Sequence, residues 1–427
     1  MSDDMADLIF RNALIENNRS NVDIVVKDGK FSAIEPRYRG KGKVEYDASG
    51  LLASPLFIDP HHHLDVAYLY EHVNRSGTLQ EAIDINARIK AFRDPVEVYE
   101  KACLALEQAL LHGTGWIRSH GDIDSVSKLD LMLPVLEARE KYSGMLDVQF
   151  VAFPQLGLVR DPASVDYLRE AMRQGADLVG GMPHAEVYRE DAIQHINICF
   201  KIAEEFDADI DMHIDETDDP ESRTLELLAE ATIREGYQGR VTASHCCALA
   251  SYEDGYAHRV IKMVAQAGLN VITNPMVNLY LQGRNDPQPV RRGITRVKEL
   301  IAAGVNVSCG LDDVRNIFFP YGRMDMLEVA MITSLTAHLT SPAEIEYAFN
   351  MPRYNAAKAL RLGKYGLVSG FPANFTLFEA PNAVEAMRLQ PPRRFVIRSG
   401  KIVAETKMER SVFSAPEAKK KGMLLCL

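Results

Sequence analysis

The residues best suited to chemistry form a histidine run that directly follows an apolar segment. Residues 51–58 predict a buried strand, and residues 60–65 read Pro-His-His-His-Leu-Asp. Because side chains alternate between the two faces of a strand, His61 and His63 point one way and His62 points the other. Two imidazoles on one face at the end of a strand form half of a metal site. A polar turn with a chance histidine run is the alternative, and residues downstream argue against it.

Further ionisable side chains end other predicted strands. His213, His245 and Asp312 each follow a short apolar run, as the histidine run does. A lone histidine at a strand end is usually structural, whereas several histidines and an aspartate that meet at one edge favour a metal site. Such ligands suit Zn²⁺ or Fe²⁺, and either ion lowers the pKa of a water molecule. A second ion would need a bridging Lys or Glu on the fourth strand, which residues 176–182 lack, so we expect one divalent ion.

Some of these strand ends also carry groups that can move protons or hold water. Glu216, three residues after His213, is placed to shuttle a proton beside the metal, although a surface carboxylate is the alternative. His245 and Asp312 are both placed to hold the attacking water, and Asp312 would be a ligand as well.

Two more polar residues are candidates for substrate binding. Gln155 ends the third predicted strand, and its amide both donates and accepts, which suits a planar heterocycle with an adjacent carbonyl and ring nitrogen. An ordinary loop glutamine is the alternative. Asp313 points away from Asp312 on an ideal strand, yet it can turn toward a substrate in the loop. His120, at the end of the second predicted strand, is expected beside the metal ligands rather than among them.

These side chains need a scaffold that brings strand ends together, and the middle of the chain predicts one. Short apolar runs alternate with amphipathic stretches such as 96–111 and 192–206. The predicted strands end near His63, His120, Gln155, Pro183, His213, His245, Asn278 and Asp312. Repeated βα units form a parallel sheet, and eight of them predict an α/β protein with a (β/α)8 TIM-type barrel, whose active site lies at the carboxyl ends of the strands.

Both ends of the chain predict short strands. An Asp28-Gly29 turn between two apolar runs predicts a hairpin near the start, and residues 375–378 and 395–398 predict strands near the end. We therefore expect a small β-sandwich domain built from residues 1–54 and 364–427. The barrel, residues 55–363, would be inserted between its two halves.

Composition limits the partners of the protein. The 427 residues carry a formal net charge of -11, which argues against nucleic-acid binding. No apolar run reaches the length of a membrane span, and the first ten residues lack the pattern of a signal peptide. The six cysteines form no C-x-x-C pair, so they predict free thiols and a cytoplasmic location.

Longer motifs resemble those of the amidohydrolase superfamily and, within it, the bacterial cytosine deaminases. The resemblance covers about residues 50 to 400 and is carried by segments 60–65, 76–79, 151–155, 213–219, 241–245, 274–284, 291–299 and 312–314. The segment 274–284, which reads NPMVNLYLQGR, is long and specific. The stretch 111–140 and the predicted strand at 178–181 look closer to the triazine-degrading N-isopropylammelide aminohydrolases.

The resemblance implies a role for each site residue. The metal ligands that it implies are His61, His63, His213 and Asp312. The groups that it implies for proton transfer and water positioning are Glu216, His245 and Asp312. The substrate contacts that it implies are Gln155, Asp313 and the backbone near Leu79. Phe318 stands where the family places a tryptophan over the ring, and Leu311 stands where the family has a polar residue.

The expected activity is the metal-dependent hydrolytic deamination of an amino-substituted nitrogen heterocycle, cytosine or a close analogue, with release of ammonia. An aminohydrolase acting on a triazine, creatinine-like or pterin-like ring is the alternative, and the pocket wall around Phe318 and Leu311 would decide between them. A non-catalytic metal-binding barrel would lack a ligand or the proton shuttle, and this sequence has both. The expected partner is a small heterocyclic substrate, with neither nucleic acid nor membrane, and the resemblance leaves a homo-oligomer open.

Overall fold

The structure is a computed structural model that describes residues 5–16, 20–409 and 411. Parts of the predicted small domain, namely residues 1–4, 17–19, 410 and 412–427, lie outside the described residues. None of the helices in the described ranges has the length and apolar character that a membrane span needs. The strands are β1 (Ala6–Ile15), β2 (Val22–Lys27), β3 (Lys30–Glu35), β4 (Gly42–Asp47), β5 (Leu51–Pro55), β6 (Phe57–His62), β7 (Thr114–Asp122), β8 (Asp147–Phe153), β9 (Leu178–Gly181), β10 (Asp209–Ile214), β11 (Val241–His245), β12 (Asn270–Thr273), β13 (Asn306–Cys309), β14 (Phe375–Glu379), β15 (Arg393–Arg398) and β16 (Lys401–Glu405). The α-helices are α1 (Leu79–Ile89), α2 (Pro95–Leu111), α3 (Met132–Lys141), α4 (Ser164–Arg173), α5 (Arg189–Phe206), α6 (Thr224–Arg234), α7 (Asp254–Gln266), α8 (Pro275–Leu281), α9 (Val297–Ala302), α10 (Met326–Thr336), α11 (Pro342–Asn350), α12 (Ala356–Ala359) and α13 (Ala383–Leu389).

Strands β6 to β13 form a parallel sheet in which each strand pairs with the next one along the chain. The loop after β13 closes this sheet against β6. The Asp312 amide donates to the His61 carbonyl at 2.8 Å, and the His63 amide donates to the Asp312 carbonyl at 2.9 Å. The predicted (β/α)8 TIM-type barrel is therefore confirmed, and its carboxyl-terminal strand ends meet at one mouth.

Helices cover the barrel because their apolar positions recur with helical spacing, and α2 shows how. Asp94 caps it by accepting from the Val96 amide at 2.9 Å, and Pro95 supplies a first helical residue with a preset φ. Its buried face contains Val98, Ala102, Ala105, Leu106 and Ala109. Burying a side chain such as that of Leu106 contributes roughly 1.5–3 kcal/mol, so this face anchors the helix to the strands.

The two chain ends form a separate mixed sheet, as predicted for the small domain, and it contains both parallel and antiparallel strand pairs. Strand β14, from the late part of the chain, pairs with β5 on one side and β15 on the other. Asp28 and Gly29 turn the β2–β3 hairpin with φ of 51° and 73°, which fits the predicted Asp-Gly turn. Phe10 of β1 lies 5.5 Å from the Phe375 ring and 5.4 Å from the Phe395 ring, so both ends share one core. The domain boundaries at residues 54/55 and 363/364 stay a proposal.

Two strand assignments made from the sequence are wrong in detail. The apolar run 51–58 is not one strand, because β5 ends at Pro55 in the small sheet and β6 begins at Phe57 in the barrel. The seventh barrel strand does not reach Asn278, since β12 ends at Thr273 and Asn278 lies on α8. Proline explains both differences: it cannot donate to a strand ladder, and Pro275 favours the first turn of a helix.

Candidate active site

Four side chains that the sequence singles out converge at the mouth of the barrel. Suitable ligand atoms of His61, His63, His213 and Asp312 all lie within 4.8 Å of one another, and all four residues are buried. The Nε2 atoms of His63 and His213 are 3.1 Å apart, and those of His61 and His63 are each 3.4 Å from Oδ1 of Asp312. Strand alternation places His62 elsewhere, with its Nδ1 3.5 Å from Oδ2 of Asp59.

The donor set fits a divalent metal ion. Nε2 of His61, which faces the cluster, is buried without a hydrogen-bond partner, an arrangement that proteins rarely tolerate unless something else satisfies the group. Three imidazoles and one carboxylate are ligands that Zn²⁺ and Fe²⁺ accept. Burial opposes ionisation of Asp312, yet His245, His61 and His63 hold its pKa well below the usual range, so it offers an anionic oxygen.

A buried chain of hydrogen bonds orients His61. Its Nδ1 lies 2.9 Å from Oγ of Ser244, and that hydroxyl donates to Oδ1 of Asp211 at 3.0 Å. Arg118 donates to the other Asp211 oxygen at 2.8 Å. Because the Ser244 proton goes to Asp211, Nδ1 of His61 must donate to Ser244. Nε2 of His61 is then the bare nitrogen that faces the cluster. His120 lies beside this chain, with Nε2 3.6 Å from Asp211, and is not part of the four-residue cluster.

A second group of polar side chains adjoins the cluster. Oε1 of Glu216 accepts from Nδ2 of Asn278 at 3.1 Å and lies 3.3 Å from Nδ1 of His245. Nδ1 of His245 is in turn 3.8 Å from Oδ2 of Asp312, so Glu216, His245 and Asp312 form one continuous set. Asn274, one turn before Asn278, lies 3.3 Å from Nε2 of His245. The sequence did not identify either asparagine as a site residue, although both fall in the motif 274–284.

Burial sets the protonation of this group. Burial, together with the nearby Asp312 and Asp313 carboxylates, raises the pKa of Glu216 well above its ordinary value. Burial lowers the pKa of His245 to about 3, so the ring is neutral. Burial and the Asp312 carboxylate raise the pKa of Asp313 to about 7. A carboxyl group with a raised pKa, beside a neutral histidine, is suited to general acid–base chemistry.

The cluster opens into a small cavity of about 20 Å³, which adjoins a cleft of about 860 Å³ that shares Leu79, Gln155 and Glu216. The predicted substrate contacts Leu79, Gln155, Asp313 and Phe318 all line this cavity, as do Glu216 and Asp312. Phe153 stacks on the His213 ring with centroids 4.0 Å apart and forms part of the apolar wall. The adjoining cleft is large enough for a small planar ring. Asp65, Asn86 and Asp122 also line it, and the sequence reasoning had not identified them.

Comparisons with known proteins show similarity to amidohydrolases and to deaminases of heterocycles. A family model described as "Amidohydrolase family" matches residues 77–404. The chain is similar to the solved structure of 5-methylcytosine deaminase from Klebsiella pneumoniae liganded with 5-fluorocytosine, with a TM-score of 0.91, 32% identity, and coverage of 95% of this chain and 99% of that chain. It is 30% identical over 407 residues to N-isopropylammelide isopropyl amidohydrolase from Pseudomonas sp. strain ADP, covering 93% of this chain and 97% of the relative. It is 32% identical over 386 residues to pterin deaminase from Rhizobium rhizogenes, covering 89% of this chain and 87% of the relative.

Proposed function

The chain belongs to the amidohydrolase family, as its motifs predicted, and we propose that it hydrolytically deaminates an amino-substituted nitrogen heterocycle, cytosine or a close analogue. The observation that carries the proposal is the contact of Glu216 and His245 with a four-ligand cluster in a cavity that adjoins a larger cleft. Similarity to proteins named 5-methylcytosine deaminase and pterin deaminase supports the same reaction class.

His61, His63, His213 and Asp312 would hold one divalent ion, Zn²⁺ or Fe²⁺. The ion would supply a Lewis acid that lowers the pKa of water and so makes a hydroxide nucleophile available at neutral pH. A single ion is proposed because β9, Leu178–Gly181, offers only apolar residues and glycines, with no Lys or Glu to bridge a second one.

The protein side chains then have distinct roles. His245 and Asp312 orient the incoming water toward the ring carbon that bears the amino group. Glu216 gives its proton to the adjacent ring nitrogen, takes one proton from the added water and passes it to the departing amine, and recovers its own proton from the same oxygen as the carbonyl forms. The carbon–nitrogen bond breaks, a carbon–oxygen bond to the water oxygen replaces it, and ammonia leaves.

Four residues are proposed to hold the ring. Gln155 and Asp313 contact its polar edge, Leu79 contributes its backbone, and Phe318 covers its face. Phe318 is buried and packs with Val66 and Ile317, so its ring is fixed rather than free to adapt. An apolar ring lid tolerates different heterocycles, which keeps triazine, creatinine-like and pterin-like rings as the alternative substrates. A cytoplasmic location and self-association stay predictions.

Ammonia release from a panel of rings tests the proposal. The panel comprises cytosine, 5-methylcytosine, isocytosine, creatinine, pterin and ammelide, each assayed with protein that is metal-loaded and with protein that is metal-stripped. Metal-dependent release of ammonia from cytosine would support cytosine as the substrate. Release only from another ring would keep the reaction and change the substrate, and no release from any ring by metal-loaded protein would contradict the deaminase proposal.

A further inference from the structure

One wall of the cavity contains hydrogen-bond acceptors that the protein leaves unsatisfied. Oδ1 of Asp65, Oδ1 of Asn86 and Oδ1 of Asp122 are all buried and have no hydrogen-bond partner. All three residues line the cavity, and each is 2–3% exposed. A buried acceptor without a partner carries an unfavourable free energy, so a ligand that donates to it gains affinity.

The other atoms of these side chains are held in place, so the free oxygens cannot turn away. Nδ2 of Asn86 donates to Oε1 of Gln155 at 3.2 Å and to Oδ2 of Asp122 at 3.3 Å. Lys90 donates to the same Asp122 oxygen at 2.7 Å. Oδ2 of Asp65 accepts from the Asp122 amide at 3.0 Å. Each residue therefore presents its remaining oxygen in a fixed position.

The hydrogen bond from Asn86 also determines which atom of the Gln155 amide is free to contact a ring. Because Oε1 of Gln155 already accepts from Asn86, its Nε2 is the group left to face a ring, and it is a donor. The wall thus offers one donor beside several acceptors. Asp65, Asp122 and the adjoining Asp124 outnumber the buried cations Lys90 and Arg93, so the local charge also favours a ring edge rich in N–H groups.

The wall lies across the barrel from the groups proposed to do the chemistry. Asp122 ends β7, the second of the eight strands, and His245 ends β11, the sixth, so these strands stand on opposite sides of the closed ring. A heterocycle between them would present its reacting carbon to one side and its far edge to the other. Cytosine has one N–H donor on that far edge, whereas a ring with an amino group in place of the 2-oxo group has the two N–H donors of that amino group.

We propose that Asp65, Asn86 and Asp122 form an acceptor wall that selects rings carrying a second amino group, which is retained while the first is removed. The proposal rests on the aminohydrolase function above and narrows its substrate class to diamino-substituted heterocycles. In 2,4-diaminopyrimidine the wall would accept from the two N–H groups of the 2-amino substituent, and Nε2 of Gln155 would donate to a ring nitrogen beside it. The bond between C4 and nitrogen would break, a bond from C4 to the water oxygen would form, and ammonia and isocytosine would be the products.

The kinetic test compares cytosine with 2,4-diaminopyrimidine on metal-loaded protein at about pH 8. That pH is chosen because burial and the Asp124 carboxylate, opposed by Lys90, raise the pKa of Asp122 to about 7. We expect kcat/KM for the diamino ring to exceed that for cytosine by about tenfold or more, with isocytosine as the product, since leaving one acceptor unpaired weakens binding by about that factor. Cytosine as the product, or a kcat/KM no higher than that for cytosine, would overturn the acceptor wall.

Substitutions at Asn86 test whether the preference for the diamino ring over cytosine comes from the acceptor wall. Asn86→Leu should lower the ratio of the two kcat/KM values by about tenfold, and Asn86→Ala, which adds no bulk, should do the same if the leucine variant fails to fold. Ile83→Ala is the matched control, because Ile83 lies on the same helix and lines the same cavity without a polar atom. It should change both kcat/KM values by the same factor. An unchanged ratio in the Asn86 variants would overturn the assignment.

A binding measurement separates failure of the wall from failure of the proposed reaction. In the Glu216→Gln background, calorimetry should show 2-aminopyrimidine binding about tenfold tighter than pyrimidin-2-one, and Asn86→Leu should remove that difference. Equal affinities would overturn the wall even if ammonia is released from other rings. Absence of turnover together with the expected affinity difference would contradict the proposed reaction and keep the wall.

Discussion

The Glu216→Gln substitution isolates the proposed proton shuttle with little change in shape. In the parent, Nδ2 of Asn278 donates to Oε1 of Glu216 at 3.1 Å. A glutamine at this position keeps a carbonyl oxygen that can accept the same hydrogen bond. Its amide cannot deliver a proton to a ring nitrogen. The substitution also removes a carboxyl group whose pKa burial and the Asp312 and Asp313 carboxylates raise well above its ordinary value. The change therefore removes proton transfer while packing is preserved.

The size of the effect follows from the role. General acid–base catalysis by a positioned side chain contributes about 10²–10⁴-fold, or about 3–5 kcal/mol of activation free energy. We expect kcat to fall by that factor and KM to change little, because the proposed ring contacts of Gln155 and Phe318 are retained and the glutamine amide can still hydrogen-bond to the ring. Metal content should stay at one ion per chain, since Glu216 is outside the four-ligand cluster.

The assay is steady-state ammonia release combined with metal analysis by mass spectrometry on the same preparation. Glu226→Gln is the matched control, because Glu226 is a half-buried glutamate on α6 that bonds the Tyr256 hydroxyl and does not line the cavity. It should stay within about threefold of the parent. A loss smaller than tenfold in Glu216→Gln would refute the shuttle, and loss of the metal with the activity would make Glu216 a ligand instead.

Three further predictions concern the metal and the surrounding carboxylates. Dialysis against a chelator should abolish ammonia release and Zn²⁺ or Fe²⁺ should restore it, whereas activity in protein free of metal by mass spectrometry would contradict the proposed chemistry. Ser244→Ala should weaken metal affinity by about 10–100-fold in a competition titration with a coloured chelator, because it removes the group that orients His61; unchanged affinity would show that the orientation is set elsewhere. Asp122 has a folded pKa of about 7 against an ordinary 3.8, so its contribution to stability is complete below 3.8 and is lost as pH rises through 7. The Tm of Asp122→Asn minus that of the parent should therefore rise between about pH 4 and pH 8, and a constant difference would refute the burial effect.

Periodicity was sufficient to predict the barrel, because its strands are short apolar runs and each is followed by an amphipathic helix. The same signal could not separate β5 from β6, since both are fully buried and only Pro55 stands near their junction. It also extended the seventh strand into α8, because the first turn of that helix contains the apolar residues Met276 and Val277. Local pattern carries no information about which sheet a buried strand joins.

Some residues of the candidate site could be predicted from the sequence, and others could be found only in the folded structure. Histidines and carboxylates at strand ends are visible in a sequence, because a parallel barrel brings strand ends together wherever they fall in the chain. Asn86 gave no such signal: it lies in the middle of α1, and its importance depends on meeting Gln155 and Asp122 across space. Ser244 is one residue from His245, but its contact with His61 crosses the barrel. Residues that act through other residues need the fold before they can be found.

The backbone hydrogen bonds that close the barrel also position the proposed metal ligands. Asp312 donates to and accepts from the backbone of the segment that holds His61 and His63, so the bonds that join the last strand to the first also fix three ligands. A Cβ at Gly310 would lie 2.8 Å from Cβ of His61, which explains why this approach requires glycine. Asp312 and His245 adopt left-handed backbone conformations, with φ of 73° and 70°, at a cost of about 1–3 kcal/mol each. The closing hydrogen bonds and the packed strands around these residues stabilise both conformations. The relative positions of the proposed ligands are thus set by the bonds that close the barrel.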